Sequence, residues 1–138
     1  MKKVILITGV SSGFGKEAAV MMARAGYTVY GTVRKAVEPL QGVHLLHMDL
    51  TQPASIDKAV AELLDREKRI DVLINNAGMH LGGPIEEAPA ELYRRQLDTN
   101  LHGMVHLLQA VLPTMRAQNK GLIINFSSIG GLMGLPFQ

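Results

Sequence analysis

The chain has 138 residues, of which 47% are hydrophobic and 19% charged, the make-up of one globular domain with room for a core. A net charge of +2, three Tyr, three Phe, no Trp and no dense basic run argue against a nucleic-acid partner. With no cysteine, disulfides, thiolate chemistry and Cys-ligated metals are excluded.

Lys2-Lys3 and the apolar run after them lead into a polar turn rather than a cleavage site, and no stretch has the length of a transmembrane helix. A cytoplasmic protein is expected. The first strand is Val4-Ile5-Leu6-Ile7, followed by the turn Thr8-Gly9-Val10-Ser11-Ser12-Gly13-Phe14-Gly15 and a helix from Lys16 to Ala25. Strand, glycine turn and helix start together suit a nucleotide's phosphates, because the helix N-terminus offers unpaired N–H groups and the positive end of its dipole. The same glycines could serve only a tight turn or helix–sheet packing, and a side chain at Gly13 is expected to obstruct either role. Ser11 and Ser12 could cap the helix, bind phosphate oxygens, or do both.

Gly26 reads as the helix C-cap, and Tyr27 to Val33 as the second strand. Arg34 to Gly42, with Pro39, is short for a crossover, so its helix is expected to be brief or distorted. An acid about twenty residues beyond the glycines would bond an adenosine ribose, but Val33-Arg34-Lys35 holds no carboxylate. Arg34 can stack on adenine and pair with a 2′-phosphate, which favours NADP(H) over NAD(H); a solvated arginine is the alternative. Lys16 is a weaker second candidate. The third strand, Val43 to Met48, ends in Asp49-Leu50, where Asp49 could cap or orient the next turn. Thr51 can cap a helix from Pro53 to Arg66 whose stripe is Ile56, Ala59, Val60, Leu63 and Leu64.

The fourth strand, Asp71 to Ile74, runs into Asn75-Asn76-Ala77-Gly78. These asparagines could be turn formers alone. A helix from about Pro89 to Ala117 follows, with an irregularity expected at Asn100 and a buried face of Leu101, Val105, Leu108, Val111, Leu112 and Met115. Tyr93-Arg94-Arg95 reads as a solvated face. The fifth strand is Leu122 to Phe126, ending in Ser127-Ser128, and the glycine-rich tail Ile129 to Gln138 reads as a loop. His102 and His106 lack a third ligand, and His44, His47 and His80 lack partners, so no metal is expected. Alternating strands and helices predict an α/β, doubly wound parallel sheet of Rossmann type, in the order 3-2-1-4-5. Its ligand crevice lies where the order reverses, outside the carboxyl ends of the strands.

These segments together resemble the short-chain dehydrogenase/reductase family. Thr8 to Gly15 matches its T-G-x-x-x-G-x-G turn, and Asn75 to Gly78 its N-N-A-G segment. Asn100 and Ser128 fall at its active-site asparagine and serine, with Ser127 the neighbour that a one-residue misassignment would select. The loop from Ser128 to Phe137 is most similar to the branch acting on steroids and retinoids. The resemblance implies hydride transfer between NADP(H) and a small-molecule carbonyl or secondary alcohol. It places Asp49-Leu50 beside adenine, and the backbone of Asn75, Asn76, Ala77 and Gly78 beside a ribose. Thr8, Gly9, Ser11, Ser12, Gly13, Phe14 and Gly15 form the phosphate turn. Ser128 would bond the substrate oxygen, and Asn100 would sustain a proton-relay water.

The family's Tyr-x-x-x-Lys and its last two strands are absent from these 138 residues, since no tyrosine has lysine four residues later. Residues 1–138 are therefore expected to be an N-terminal part or a natural truncation, inactive alone. A nucleotide-binding interaction module without turnover is the rival reading, and a flavin- or nucleotide-sugar-binding relative a third. Homo-oligomerisation through the helix near residues 100–117 is a further expectation.

Overall fold

The computed structural model describes residues 2–134 and 136. The chain runs β1 (Val4–Ile7), α1 (Gly13–Arg24), β2 (Thr28–Val33), β3 (Val43–His47), α2 (Pro53–Glu67), β4 (Val72–Asn75), α3 (Ala90–Leu97), α4 (Gly103–Ala117) and β5 (Leu122–Asn125). Short 3-10 turns occupy Ile85–Glu87 and Ile129–Gly131, the second lying inside the tail read as a loop. The strands form one parallel sheet in the order β3-β2-β1-β4-β5, with Leu6 beside Tyr30 on one side and Leu73 on the other. This is the predicted Rossmann-type order, and its reversal lies between β1 and β4. The described residues include no helix long and apolar enough to cross a membrane.

β1 is apolar throughout because both of its faces are covered. Val4 and Leu6 join a layer with Ile56, Leu63, Leu107 and Val111. Ile5 and Ile7 join the opposite layer with Ala19, Val29 and Ile74. Each of these Val, Leu and Ile side chains stabilises the fold by about 1.5–3 kcal/mol relative to exposure.

Three local expectations are corrected. No helix forms between Arg34 and Gly42; an irregular arm packs Val37 and Leu40 on the α1 layer, and Gly42 turns it into β3 at φ +74°. Thr51 does not cap α2. Its N–H and hydroxyl both donate back to Asp49 Oδ1, at 2.9 and 2.8 Å, and Gln52 takes the cap position without a side-chain bond. The long helix is broken by a π-helical turn, Asp98–His102, at the expected irregularity, and its buried stripe is Gly103, Leu107, Val111 and Met115. Leu108 is only partly buried against that core, and Leu101 and Val105 are 47% and 41% exposed. This helix is apolar on more than one side, so apolar spacing found Val111 and Met115 but missed Leu107 and added the exposed Leu101 and Val105. Gly103 sets the contact, because a Cβ there would collide with the Leu50 carbonyl.

The end of the sheet remote from the crevice is pinned by Asp71, which is 7% exposed. Its Oδ2 accepts the Val4 N–H at 2.8 Å and the Arg69 Nε–H at 3.0 Å. Burial pushes the carboxyl up, but these bonds and the charges of Arg69 and Lys3 outweigh burial and hold it below its ordinary value. A folded pKa below the unfolded one means stability that is complete above the unfolded value, about 3.9, and lost as pH falls through the folded value. Asp71→Asn should cost about 1–3 kcal/mol at pH 7. It should also flatten the acid limb of the stability curve, read by urea unfolding between pH 7 and pH 3. An acid limb as steep as the parent's would remove Asp71 as its source.

Candidate functional site

At the carboxyl end of β1 the chain turns through Gly9 at φ +73°. A Cβ on Gly9 would lie 2.9 Å from Ala77, and one on Gly15 would collide with the Gly9 carbonyl and the Asn76 amide. At Gly13 the packing half of the expectation is corrected, since a Cβ there meets no protein atom within 4 Å. Its φ of +58° is a conformation that favours glycine, and the packing role falls to Gly15.

Thr8 is buried and faces inward, its Oγ1 accepting the N–H groups of Asn76 and Ala77, each at 3.0 Å. Asn76 Nδ2 returns bonds to the Thr8 and Gly9 carbonyls at 2.9 and 3.0 Å. The turn after β1 and the segment after β4 are thus stitched into one floor. In the same way Asn75 Nδ2 reaches Asn125 Oδ1 at 2.8 Å and ties β4 to β5.

A cleft of about 330 Å³ opens over this floor, lined by Gly9, Ser11, Ser12, Arg34, Asp49, Leu50, the segment from Asn76 to Met79, and Thr99. Ser12 occupies the N-cap position of α1, yet its side chain makes no cap bond, contrary to the capping option. The first turn of α1 carries no acid, so its positive end is not neutralised there. Phe14 is 84% exposed, and its side chain is not part of the cleft wall. Lys16 lines a separate surface hollow with Arg24 and Glu38. Burial pushes the Asp49 carboxyl up, but its two bonds from Thr51 and the charges of Arg34 and Arg95 hold it below the usual range. Arg95, read from sequence as solvated, therefore has its charge within reach of the cleft's acid.

A second cleft of about 520 Å³ shares the segment from Asn76 to Met79 and contains Asn100, Phe126, Ser127 and Ser128. The structure thus brings Asn100 and Ser128, 28 positions apart in sequence, to one cavity. Asn100 spends its side chain on Met79, accepting its N–H at 2.8 Å and donating to its carbonyl at 2.7 Å. Ser128 Oγ accepts the Gly130 N–H at 3.2 Å, which leaves its O–H as a donor. The two histidines of the long helix pair with carboxylates, His102 with Asp98 and His106 with Asp57, both at 2.9 Å. Among the described residues no cluster could hold a metal ion. Sequence reasoning missed Met79 and Thr99. Met79 followed directly on Asn75 to Gly78 and could have been included, whereas nothing in the local sequence marks Thr99.

Two adjoining clefts across the carboxyl ends of a parallel sheet, over a glycine turn and a helix N-terminus, define a Rossmann-type α/β fold. A family model for short chain dehydrogenases matches residues 3–138, and the chain belongs to that family. It is 49% identical over 136 residues to a 3-ketodihydrosphingosine reductase of Bacteroides thetaiotaomicron, covering 99% of this chain and 51% of that protein. It is 39% identical over 150 residues to the mouse 17-beta-hydroxysteroid dehydrogenase type 1, covering 97% and 43%. The chain spans about half the length of these curated relatives. Among solved structures, a short-chain dehydrogenase from Streptomyces avermitilis superposes with a TM-score of 0.91 at 36% identity, covering 99% of this chain and 53% of that one. ElxO with NADP bound gives 0.90 at 29%, covering 99% and 60%. The steroid and retinoid likeness of the tail includes Leu135 and Phe137, which lie outside the described residues.

Proposed function

We propose that this chain is the cofactor-holding part of an oxidoreductase that uses NADP(H) and interconverts a small-molecule carbonyl and a secondary alcohol. The observation that carries this reading is the first cleft: a wall that includes Gly9, Ser11 and Ser12, an α1 start without an acid, and Arg34 where a carboxylate would select NAD(H). These residues fit a dinucleotide. The names of the relatives, a reductase and a hydroxysteroid dehydrogenase, and the NADP bound to ElxO support the same class.

In this reading Gly9, Ser11, Ser12, Gly13 and Gly15 would hold the diphosphate, with Phe14 contributing backbone alone. Arg34 would hold the 2′-phosphate, Asp49 and Leu50 the adenine, and Asn76, Ala77 and Gly78 a ribose. The bound nicotinamide supplies or takes up the hydride. Ser128 would donate its O–H to the substrate oxygen. Asn100 acts first as a positioning residue, since both ends of its amide hold the Met79 backbone between the two clefts. Self-association through the long helix belongs to the same reading, supported by Leu101 and Val105 exposed one turn apart on its outer side.

Arg34→Ala tests the cofactor assignment. Loss of a charge-assisted contact should weaken NADPH by about 1.5–3 kcal/mol and leave NADH almost unchanged, measured by fluorescence titration. Equal losses for both cofactors would remove Arg34 from the 2′-phosphate. A chain extended through a Tyr-x-x-x-Lys segment that binds NADPH tightly yet turns over no carbonyl would favour the interaction-module reading.

A further inference from the structure

Helix α3 does not anchor itself by an apolar stripe. It has no buried residue, and its large apolar side chains Leu92, Tyr93 and Leu97 are exposed. Its one half-buried residue is the polar Gln96. Apolar packing does not account for that choice, since a leucine would gain more from the same burial. A hydrogen bond does: Gln96 Oε1 accepts the Leu81 N–H at 2.6 Å.

Asn100, four residues further on, grips the same segment through the Met79 N–H and carbonyl. Alternate residues, Met79 and Leu81, thus turn backbone groups toward one helix, the pattern of an extended strand. His80 stands between the two grips and, with Met79, lines the second cleft together with Ser127 and Ser128. Leu81 and Gln96 line a separate hollow with Pro84, Ile85 and Tyr93, so the cleft wall ends where Gln96 holds it. Gly82 and Gly83 follow directly, the latter at φ +142°. Among the described residues the other hydrogen bonds made from Leu81 to Ala88 are local, Glu87 to Pro84 and Ala88 to Ile85. The Gln96 bond is therefore the last tie from this wall to another element before a glycine pair that frees the backbone.

We propose that Gln96 is a positioning residue for the substrate: with Asn100 it clamps the wall of the second cleft at Met79 and His80, and so sets how tightly a carbonyl compound is held at Ser128. This rests on the oxidoreductase reading above. Gln96 lines neither cleft, so it acts on a ligand only through the Leu81 backbone.

The experiment compares the parent with Gln96→Met, which keeps the length of the side chain and removes the acceptor, and with Gln96→Glu, which keeps an acceptor. Each is made in a chain extended through a Tyr-x-x-x-Lys segment and assayed with NADPH against ethyl acetoacetate and cyclohexanone. NADPH titration and amide exchange at Leu81 are measured on the same proteins. Gln96→Met should raise KM roughly 5- to 10-fold, the scale of one hydrogen bond, with kcat within about twofold of the parent's and NADPH affinity unchanged. The Leu81 amide should lose protection in that variant. Gln96→Glu should restore both the KM and the protection. A parent-like KM in Gln96→Met despite lost protection would show a bond that only staples α3, and overturns the proposal. A KM that rises equally in both variants, or in step with a loss of NADPH affinity, overturns it too, as does full protection of Leu81 in Gln96→Met. In each of these cases turnover by the parent leaves the oxidoreductase reading intact. A parent that turns over neither ketone overturns both.

Discussion

Gly15→Val should cost about 3–5 kcal/mol, a large part of the roughly 5–15 kcal/mol that holds a domain folded. The Cβ alone would collide with the Gly9 carbonyl and the Asn76 amide, which are 3.0 Å apart and bonded to each other. Neither can yield cheaply, because Asn76 Nδ2 also holds the Thr8 carbonyl and Gly9 is itself pressed against Ala77. The valine methyls add volume to a place already full. Gly13→Ala provides the contrast, since its Cβ meets nothing and its cost is left-handed strain alone, about 1–2 kcal/mol. Urea unfolding of the two variants measures the difference. Equal midpoints would show that the turn adjusts freely and that packing at Gly15 is unimportant.

Thr8→Val should be the second most damaging of these changes, at about 2–4 kcal/mol, and should also loosen the cleft floor. Valine keeps the volume of threonine, so no cavity forms. The loss is that of Oγ1, which leaves the Asn76 and Ala77 N–H groups without their acceptor at a part-buried site. An orphaned buried donor forfeits the full cost of its desolvation, which exceeds the net worth of the bond. Thr8→Ser, which keeps the acceptor, should retain most of the stability. Amide exchange at Ala77 gives a local readout: its protection should fall in Thr8→Val and persist in Thr8→Ser. Unaltered protection in the valine variant would mean that another group takes over the acceptor role.

The legible parts of this protein are those that neighbouring residues decide. β-branched runs four to six residues long, glycines that break them and a proline at the first turn of α2 are local signals, and all five strands and the sheet order follow from them. The helix irregularity at Asn100 was legible for the same reason, as asparagine is a poor helix former. Most of the first cleft was legible at one remove, because parallel crossovers bring the carboxyl ends of the strands to one side of the sheet.

What was not legible turned on partners chosen across space. Thr51 and Asp49 had two possible arrangements of similar local cost, and the hydroxyl turned back rather than forward. Leu107 and Val105 are equally apolar, and only the seating of Gly103 on Leu50 decided which faces the core. Sequence by itself determined an α/β fold of Rossmann type with its glycine turn, its fourth-strand asparagines and a basic residue after β2. The tertiary structure alone decided that Gly15 carries the packing and Gly13 the conformation, and that Thr8 serves Asn76 across 68 positions of chain. It also left the buried Thr99 hydroxyl with no hydrogen-bond partner. The division has one physical cause: backbone propensity acts over a few residues, whereas a hydrogen bond or a steric contact is settled by whichever atom the folded chain brings within about 3 Å.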